Sequence, residues 1–150
     1  MSAFFAGVDG GGTSTRVLVI DEAGTEVGHA EGPGSAIAPG LATRSADVIR
    51  ECLARATVSL PSRTLRSLCV GVAGAGRDEE RDSLLAALET AGVAGTVVVV
   101  TDAEVAIEDA FGAGPGILLT AGTGSIAYGK GPTGVLARCG GWGPAIGDEG

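Results

Sequence analysis

The sequence predicts a mixed-sheet α/β domain, and two successive patterns support this prediction. Three short apolar segments come first, separated by turns at residues 10–12 and 21–24, which is typical of antiparallel strands. Amphipathic helical patterns then alternate with continuous apolar runs, as in parallel strands joined through helices. The predicted order is β-β-β-α-β-α-β-α, and the uniformly apolar later strands indicate a sheet covered on both faces.

The individual elements follow from local patterns. Apolar runs bounded by turn residues predict strands at 4–8, 16–20, 25–30, 67–73, 96–101, 116–120 and 125–128. Helical periods predict helices that begin at Leu41 and end before Pro61, then at 79–91 and 103–111. The loop at 32–40 has no regular pattern and is either a binding loop or a connector. The lobe boundary is expected between residues 115 and 116.

Composition excludes several classes of protein. The 27 glycines among 150 residues follow no three-residue period, so neither collagen nor a disordered linker is indicated. A net charge of −8 argues against nucleic-acid and anionic-membrane partners. No apolar run reaches the ~18–20 residues of a membrane span, and no secretory leader is visible, so we expect a cytoplasmic protein. Three widely spaced cysteines indicate neither a disulfide framework nor a zinc site.

The turn after the first strand carries the strongest chemical signal. It reads Asp9, three glycines, then Thr13, Ser14 and Thr15. Successive glycine N–H groups can form a concavity for phosphate oxygens, to which the hydroxyls add donors. Asp9 at the strand end is placed to hold Mg²⁺ through water. The turn leads into a strand rather than a helix and has no Gly-Lys-Ser/Thr ending, which excludes a Rossmann fingerprint and a Walker A loop.

Two further segments repeat or complement this chemistry. Residues 120–125 form a second glycine-rich turn between strands, and Thr123 and Ser125 supply hydroxyls. We expect two such turns to hold the phosphates of a nucleotide together. Asp102 follows a buried strand, where it is either a base that deprotonates a substrate hydroxyl or an N-cap of the next helix. Both roles can coexist.

The segment at 139–150 combines five glycines with Trp142, Asp148 and Cys139. Its backbone permits close approach to a ligand, and Asp148 can accept hydrogen bonds from hydroxyl groups. Trp142 either packs beneath the loop or stacks on a sugar. The chain stops where a new helix is expected, so residues 116–150 are interpreted as the beginning of a second lobe.

In this order, the four motifs resemble those of the actin, Hsp70 and hexokinase superfamily. More narrowly, VDGGGTSTRVLVID, TDA, AGTGS and CGGWGPAIGDEG resemble the N-acetylglucosamine kinase branch of the BadF/BadG/BcrA/BcrD ATPase family. The resemblance implies a ribonuclease H-like lobe with a mixed five-stranded sheet, followed by a second similar lobe. It also implies ATP and Mg²⁺ as cofactors and phosphorylation of the 6-hydroxyl of N-acetylglucosamine or glucosamine.

The resemblance assigns roles residue by residue. Asp9 falls on the magnesium side and Asp102 matches the catalytic base. The remaining assignments are Gly11, Gly12, Thr13 and Thr15 in the first phosphate loop, Gly122, Thr123 and Gly124 in the second, and Ser35, Cys139, Gly140, Gly141 and Asp148 around the sugar.

Two departures from the family pattern leave alternatives open. Similar kinases have an asparagine after the third strand, whereas here Ser35 or Ala36 occupies that place, so the preferred sugar is not determined. The adenosine-binding segment is not among these 150 residues, and the chain alone is expected to be inactive. An ATPase that activates an acyl-CoA reductase or dehydratase, or a non-catalytic sugar sensor, is the alternative function. The sequence leaves open whether the protein is a homodimer.

Overall fold

Eight strands and three helices follow one another in the computed structural model, which describes residues 3–61, 65–121 and 125–141. None of the three helices is long and apolar enough to cross a membrane. The elements are β1 (Phe5–Gly10), β2 (Ser14–Ile20), β3 (Glu26–Pro33), α1 (Ala42–Ala56), β4 (Leu65–Val72), α2 (Asp78–Thr90), β5 (Ala94–Thr101), α3 (Asp102–Phe111), β6 (Gly116–Ala121), β7 (Ser125–Lys130) and β8 (Leu136–Gly140).

The contacts within the chain divide it into two units, Met1–Asp102 and Ala103–Gly150. Nearly all of α3 therefore belongs to the second unit. The boundary expected from the sequence, between residues 115 and 116, instead assigned this helix to the first lobe. The assignment of the two units as similar lobes stays a prediction.

The first unit is built on a mixed five-stranded sheet of order β3-β2-β1-β4-β5. The strands β1, β2 and β3 pair antiparallel, whereas β4 runs parallel to both β1 and β5. This arrangement confirms the predicted α/β class with a mixed sheet. The prediction succeeded because the glycine turns join the early strands directly, while α1 and α2 supply the long crossovers that parallel pairing requires.

One face of this sheet packs against α1 and α2. Alternate strand residues such as Val8, Val17 and Val70 point to this face and are buried. They pack in one cluster with Ile49 of α1 and Leu84 of α2. Each fully buried aliphatic side chain contributes roughly 1.5–3 kcal/mol to folding, so this face holds the unit together.

The opposite face is more open than the sequence predicts. Both α1 and α2 contribute to the same core cluster, and on the other face Leu18 is 46% exposed and Val98 is 48% exposed. Cys69 between them is also exposed. The helices of the first unit therefore cover only one of the two faces that were expected to be covered, because the two crossovers, from β3 to β4 and from β4 to β5, lie on the same side of the sheet.

The second unit contains a three-stranded antiparallel sheet of order β6-β7-β8. The sequence predicted the β6–β7 hairpin but not β8, because an arginine and a terminal glycine interrupt its short apolar pattern. Lys130 at the end of β7 donates to Glu108 Oε2 at 2.6 Å and to the Gly112 carbonyl. This ammonium therefore joins the hairpin to the carboxyl-terminal end of α3, where a positive charge is favourable.

Candidate active site

The carboxyl ends of β1, β4 and β5 meet at one edge of the first unit's sheet. The register aligns Gly10 with Val72 and Val72 with Thr101. Since neighbouring strands are about 4.8 Å apart, the backbones of Gly10 and Thr101 are separated by about 10 Å. Asp102 follows Thr101 directly, so topology brings it to the edge that carries the glycine turn. Ligands bind at this edge in open α/β sheets.

Asp9 lies on the sheet face that α1 and α2 leave open. It is exposed and stands directly opposite Arg16 of β2, which in turn stands opposite Glu31 of β3. The Arg16 Nε lies 3.6 Å from Glu31 Oε1, with 68% and 76% of the two side chains exposed. Such a solvated pair contributes little to stability. Arg16 is paired with Glu31, and the Asp9 carboxylate stays accessible to solvent at the carboxyl end of β1.

The exposed Asp9 is a single carboxylate, which is compatible with a hydrated magnesium ion. Within the described ranges, no group of three or more His, Cys, Asp or Glu residues could enclose a metal. Mg²⁺ commonly binds one or two carboxylates and retains water, with phosphate oxygens as further ligands. Asp9 thus fits an ion held jointly by this chain, water and a phosphate-bearing substrate.

The glycine turn between β1 and β2 offers fewer N–H donors than its sequence predicts. Gly11 N donates to Ser14 O at 2.9 Å and closes the hairpin. Its N–H is therefore engaged, and the expectation that all successive glycine N–H groups face a ligand is wrong at Gly11. Gly12 and Thr13 are exposed, and no hydrogen bond involves their N–H groups in the described part of the chain. These two donors fit a phosphate group.

Thr15 and Ser35 occupy buried positions. Thr15 is 0% exposed and Ser35 is 1% exposed, and their hydroxyl oxygens lie 2.7 Å apart. Thr15 Oγ1 also lies 2.7 Å from Pro33 O. The sequence assigned Thr15 to phosphate and Ser35 to the sugar, but this arrangement places both hydroxyls inside the protein. The alternation of β2 explains the burial of Thr15, because it shares the inward face with Val17.

The loop after β3 is bonded to the glycine turn through backbone groups. Gly11 O accepts the N–H groups of both Ser35 and Ala36 at 3.1 Å. A Cβ on Gly34 would lie only 2.2 Å from Gly12 O, so a side chain there would displace the turn. The loop therefore packs closely against the glycine turn, and its role as a binding loop stays a prediction.

A third segment, after β4, braces the same turn. Ala73 N donates to Gly10 O at 2.9 Å, and Ile37 N donates to Ala73 O at 2.8 Å. Gly74 has a φ of +92°, and a Cβ there would lie 2.1 Å from Ile37 O. The contribution of Ala73 leaves no signal in the sequence, because it acts through backbone groups that any residue possesses. The positive φ of Gly74 left a sequence signal, namely a glycine after a buried strand.

The remaining predicted site residues lie in the second unit. Cys139 and Gly140 are in β8 and Gly141 follows it; Cys139 is exposed. Gly140 and Gly141 have φ values of +78° and +68°, which explains why glycine stands at both positions. The ligand roles proposed for these three residues stay predictions. Gly122, Thr123, Gly124 and Asp148 lie outside the described residues.

Comparison with known protein families gives one match that covers almost the whole chain. The model of the BadF/BadG/BcrA/BcrD ATPase family matches residues 6–150. This range includes both glycine turns and the glycine-rich segment at the end of the chain.

Individual relatives point in the same direction. The chain is 33% identical, over 97% of its length, to an N-acetyl-D-glucosamine kinase of Dictyostelium discoideum, of which it covers 49%. A second relative is an N-acetylmuramic acid/N-acetylglucosamine kinase of Clostridium acetobutylicum, to which the chain is 43% identical over 84 residues. These residues are 56% of this chain and 28% of that protein. A candidate N-acetylglucosamine kinase from Chromobacterium violaceum superposes with a TM-score of 0.80 at 31% identity, over 97% of this chain and 51% of that one. The chain thus spans about half the length of these two relatives that it matches almost throughout.

Proposed function

Because the chain belongs to the BadF/BadG/BcrA/BcrD ATPase family, we propose that it is part of an ATP-dependent kinase of an amino sugar. The observation that carries this proposal is the glycine turn after β1, where Gly12 and Thr13 are exposed and their N–H groups are not used in backbone hydrogen bonds, three and four residues after the exposed Asp9. Relatives named as N-acetylglucosamine kinases support a sugar of this class. We propose N-acetylglucosamine or glucosamine as the substrate, phosphorylated at its 6-hydroxyl.

In the proposed reaction, Gly12 and Thr13 bind phosphate oxygens through their N–H groups. Asp9 binds the hydrated Mg²⁺ that neutralises phosphate charge. Asp102 accepts the proton of the sugar 6-hydroxyl as this oxygen bonds to the γ-phosphorus, while the bond from that phosphorus to ADP breaks. Phosphoryl transfer of this kind depends mainly on positioning and charge neutralisation. A site made of backbone donors and two carboxylates is suited to both.

Other parts of the proposal rest on sequence alone. The turn at 121–125 is proposed as a second phosphate loop, and Cys139, Gly140, Gly141 and Asp148 as contributors to sugar binding. The proposed location is the cytoplasm, the usual place of an ATP-dependent sugar kinase. The comparisons do not favour the alternative of an ATPase that activates an acyl-CoA reductase.

A coupled assay of ADP release tests this function. The complete protein that carries this chain is incubated with Mg·ATP and a panel of N-acetylglucosamine, glucosamine, N-acetylmuramic acid and glucose. We expect turnover that depends on both magnesium and an amino sugar. ADP release that no sugar stimulates would reject the kinase assignment. The chain of 150 residues alone is expected to show no turnover in the same assay.

A further inference from the structure

The buried hydroxyls of Thr15 and Ser35 form one short chain of hydrogen bonds. Thr15 Oγ1 lies 2.7 Å from Pro33 O and 2.7 Å from Ser35 Oγ. A hydroxyl has a single proton but can also accept. When Thr15 donates to the Pro33 carbonyl, it therefore accepts the proton of Ser35. Strand β2, which follows the glycine turn, is thereby tied to the loop after β3.

The loop after β3 also holds the glycine turn through backbone hydrogen bonds. Two consecutive N–H groups, of Ser35 and Ala36, donate to Gly11 O. A Cβ on Gly10 would lie 2.5 Å from Ser35 Oγ, which shows how closely the serine packs beneath the turn. The position of Gly11 and Gly12 is therefore set by the position of the loop.

The loop is itself anchored to the rigid part of the unit. Ile37 N donates to Ala73 O at 2.8 Å, next to the end of β4. Ser45 Oγ of α1 donates to Ala36 O at 3.2 Å. The loop thus links β4 and α1 to the glycine turn, which the hydrogen bond from Gly11 N to Ser14 O closes.

From this network, and on the premise of the proposed function, we infer that Thr15 and Ser35 are positioning residues. Their buried hydroxyl pair holds the Gly12 and Thr13 N–H groups in place for phosphate, and neither side chain contacts a ligand. Removal of the Thr15 hydroxyl leaves Ser35 Oγ and Pro33 O with one partner fewer inside the protein. A buried polar group without its partner is costly, so the loop is held less firmly against the turn.

The test compares Thr15→Val, which keeps the shape of the side chain, with Thr15→Ser, which keeps the hydroxyl. Thr57→Val is the matched control. Thr57 is 3% exposed and its hydroxyl donates to Leu53 O at 2.8 Å, beyond the end of α1. Thr57→Val therefore removes a buried hydroxyl whose hydrogen bond is to the last turn of α1 and not to the glycine turn.

Two measurements on the complete protein separate positioning from general stability. Amide hydrogen exchange measures how fast the Ser35 and Ala36 N–H groups exchange with solvent, and calorimetry measures the Kd of Mg·ADP. Since a hydrogen bond of this type contributes about 1 kcal/mol, we expect Thr15→Val to accelerate exchange at both amides and to raise the Kd, each about fivefold. Thr15→Ser should keep the exchange rates and the Kd close to their wild-type values, and Thr57→Val should change neither quantity.

Ser35→Ala distinguishes positioning from direct sugar binding, and it carries the test if Thr15→Val does not fold. A positioning role raises the Kd of Mg·ADP measured without sugar. If the Ser35 hydroxyl instead binds the sugar directly, Ser35→Ala should raise only the KM for sugar. That result would overturn the inference. Unchanged exchange and affinity in Thr15→Val would also overturn it. If the wild-type protein bound no Mg·ADP, the proposed function would fail, while hydrogen exchange would still decide whether the pair holds the loop.

Discussion

Gly34 packs against the carbonyl of Gly12 so closely that a Cβ on Gly34 would lie 2.2 Å from the Gly12 oxygen. The two residues are 22 positions apart in sequence, yet they define the same piece of the candidate site. Gly12 is in the turn proposed to bind phosphate, and Gly34 is in the loop that supports it. This contact explains why the loop must carry a glycine immediately after Pro33.

Gly34→Ala should weaken nucleotide binding. The added methyl group meets backbone atoms that cannot rotate away, and overpacking of this kind costs typically 1–3 kcal/mol. We expect the Kd of Mg·ADP to rise by about tenfold or more. Gly7→Ala is the control, because a Cβ there meets nothing within 4 Å. Equal affinities of the two variants, measured by calorimetry, would show that the turn does not depend on this contact.

Asp102→Asn should abolish turnover while sugar binding is retained. Loss of a positioned general base typically lowers the rate by about 10²–10⁴-fold. Asparagine is as good an N-cap as aspartate, so the substitution preserves the alternative role of Asp102 at the start of α3. The ADP-release assay and sugar calorimetry provide the two readouts. Asp109→Asn changes an exposed carboxylate of the same helix and should leave both unchanged. Normal turnover of Asp102→Asn would rule out the base.

Asp9→Asn should raise the magnesium concentration that nucleotide binding requires. The amide has no charge to attract the hydrated ion, and we expect a shift of about tenfold, equivalent to ~1.4 kcal/mol. Magnesium is titrated at a fixed ADP concentration and binding is followed by calorimetry. Asp47→Asn serves as the control, since its carboxylate pairs with Arg50 on the surface of α1 at 3.1 Å. A magnesium midpoint shared by Asp9→Asn and wild type would exclude Asp9 from the metal site.

Gly74→Ala and Gly24→Ala should separate steric contact from backbone strain. Both glycines have positive φ, +92° and +79° respectively, but a Cβ at Gly24 meets nothing whereas one at Gly74 meets Ile37 O at 2.1 Å. We expect Gly24→Ala to lower the free energy of unfolding by about 1 kcal/mol. Gly74→Ala adds overpacking and should cost about 3 kcal/mol. Urea denaturation followed by circular dichroism measures both, and equal losses would contradict the close packing of Gly74 against the loop.

The sequence predicted the elements of the first unit because each has a local cause. Glycine turns join the antiparallel strands, and continuous apolar runs such as TVVVVT are typical of parallel strands. Asp9 and Asp102 could be selected from sequence for a similar reason. Each follows an apolar run directly, and the carboxyl end of a strand is defined by local chemistry.

Local patterns could not determine which side chains reach a ligand. Thr13 and Thr15 look alike in sequence, yet Thr13 is exposed and Thr15 is buried, because strand alternation begins between them and α1 covers one face. Ser35 was interpreted as a sugar ligand, but its hydroxyl pairs with Thr15, 20 residues earlier. Long-range backbone hydrogen bonds decide these outcomes. They depend on how the loop after β3 returns beneath the turn, and no single segment of sequence encodes that path.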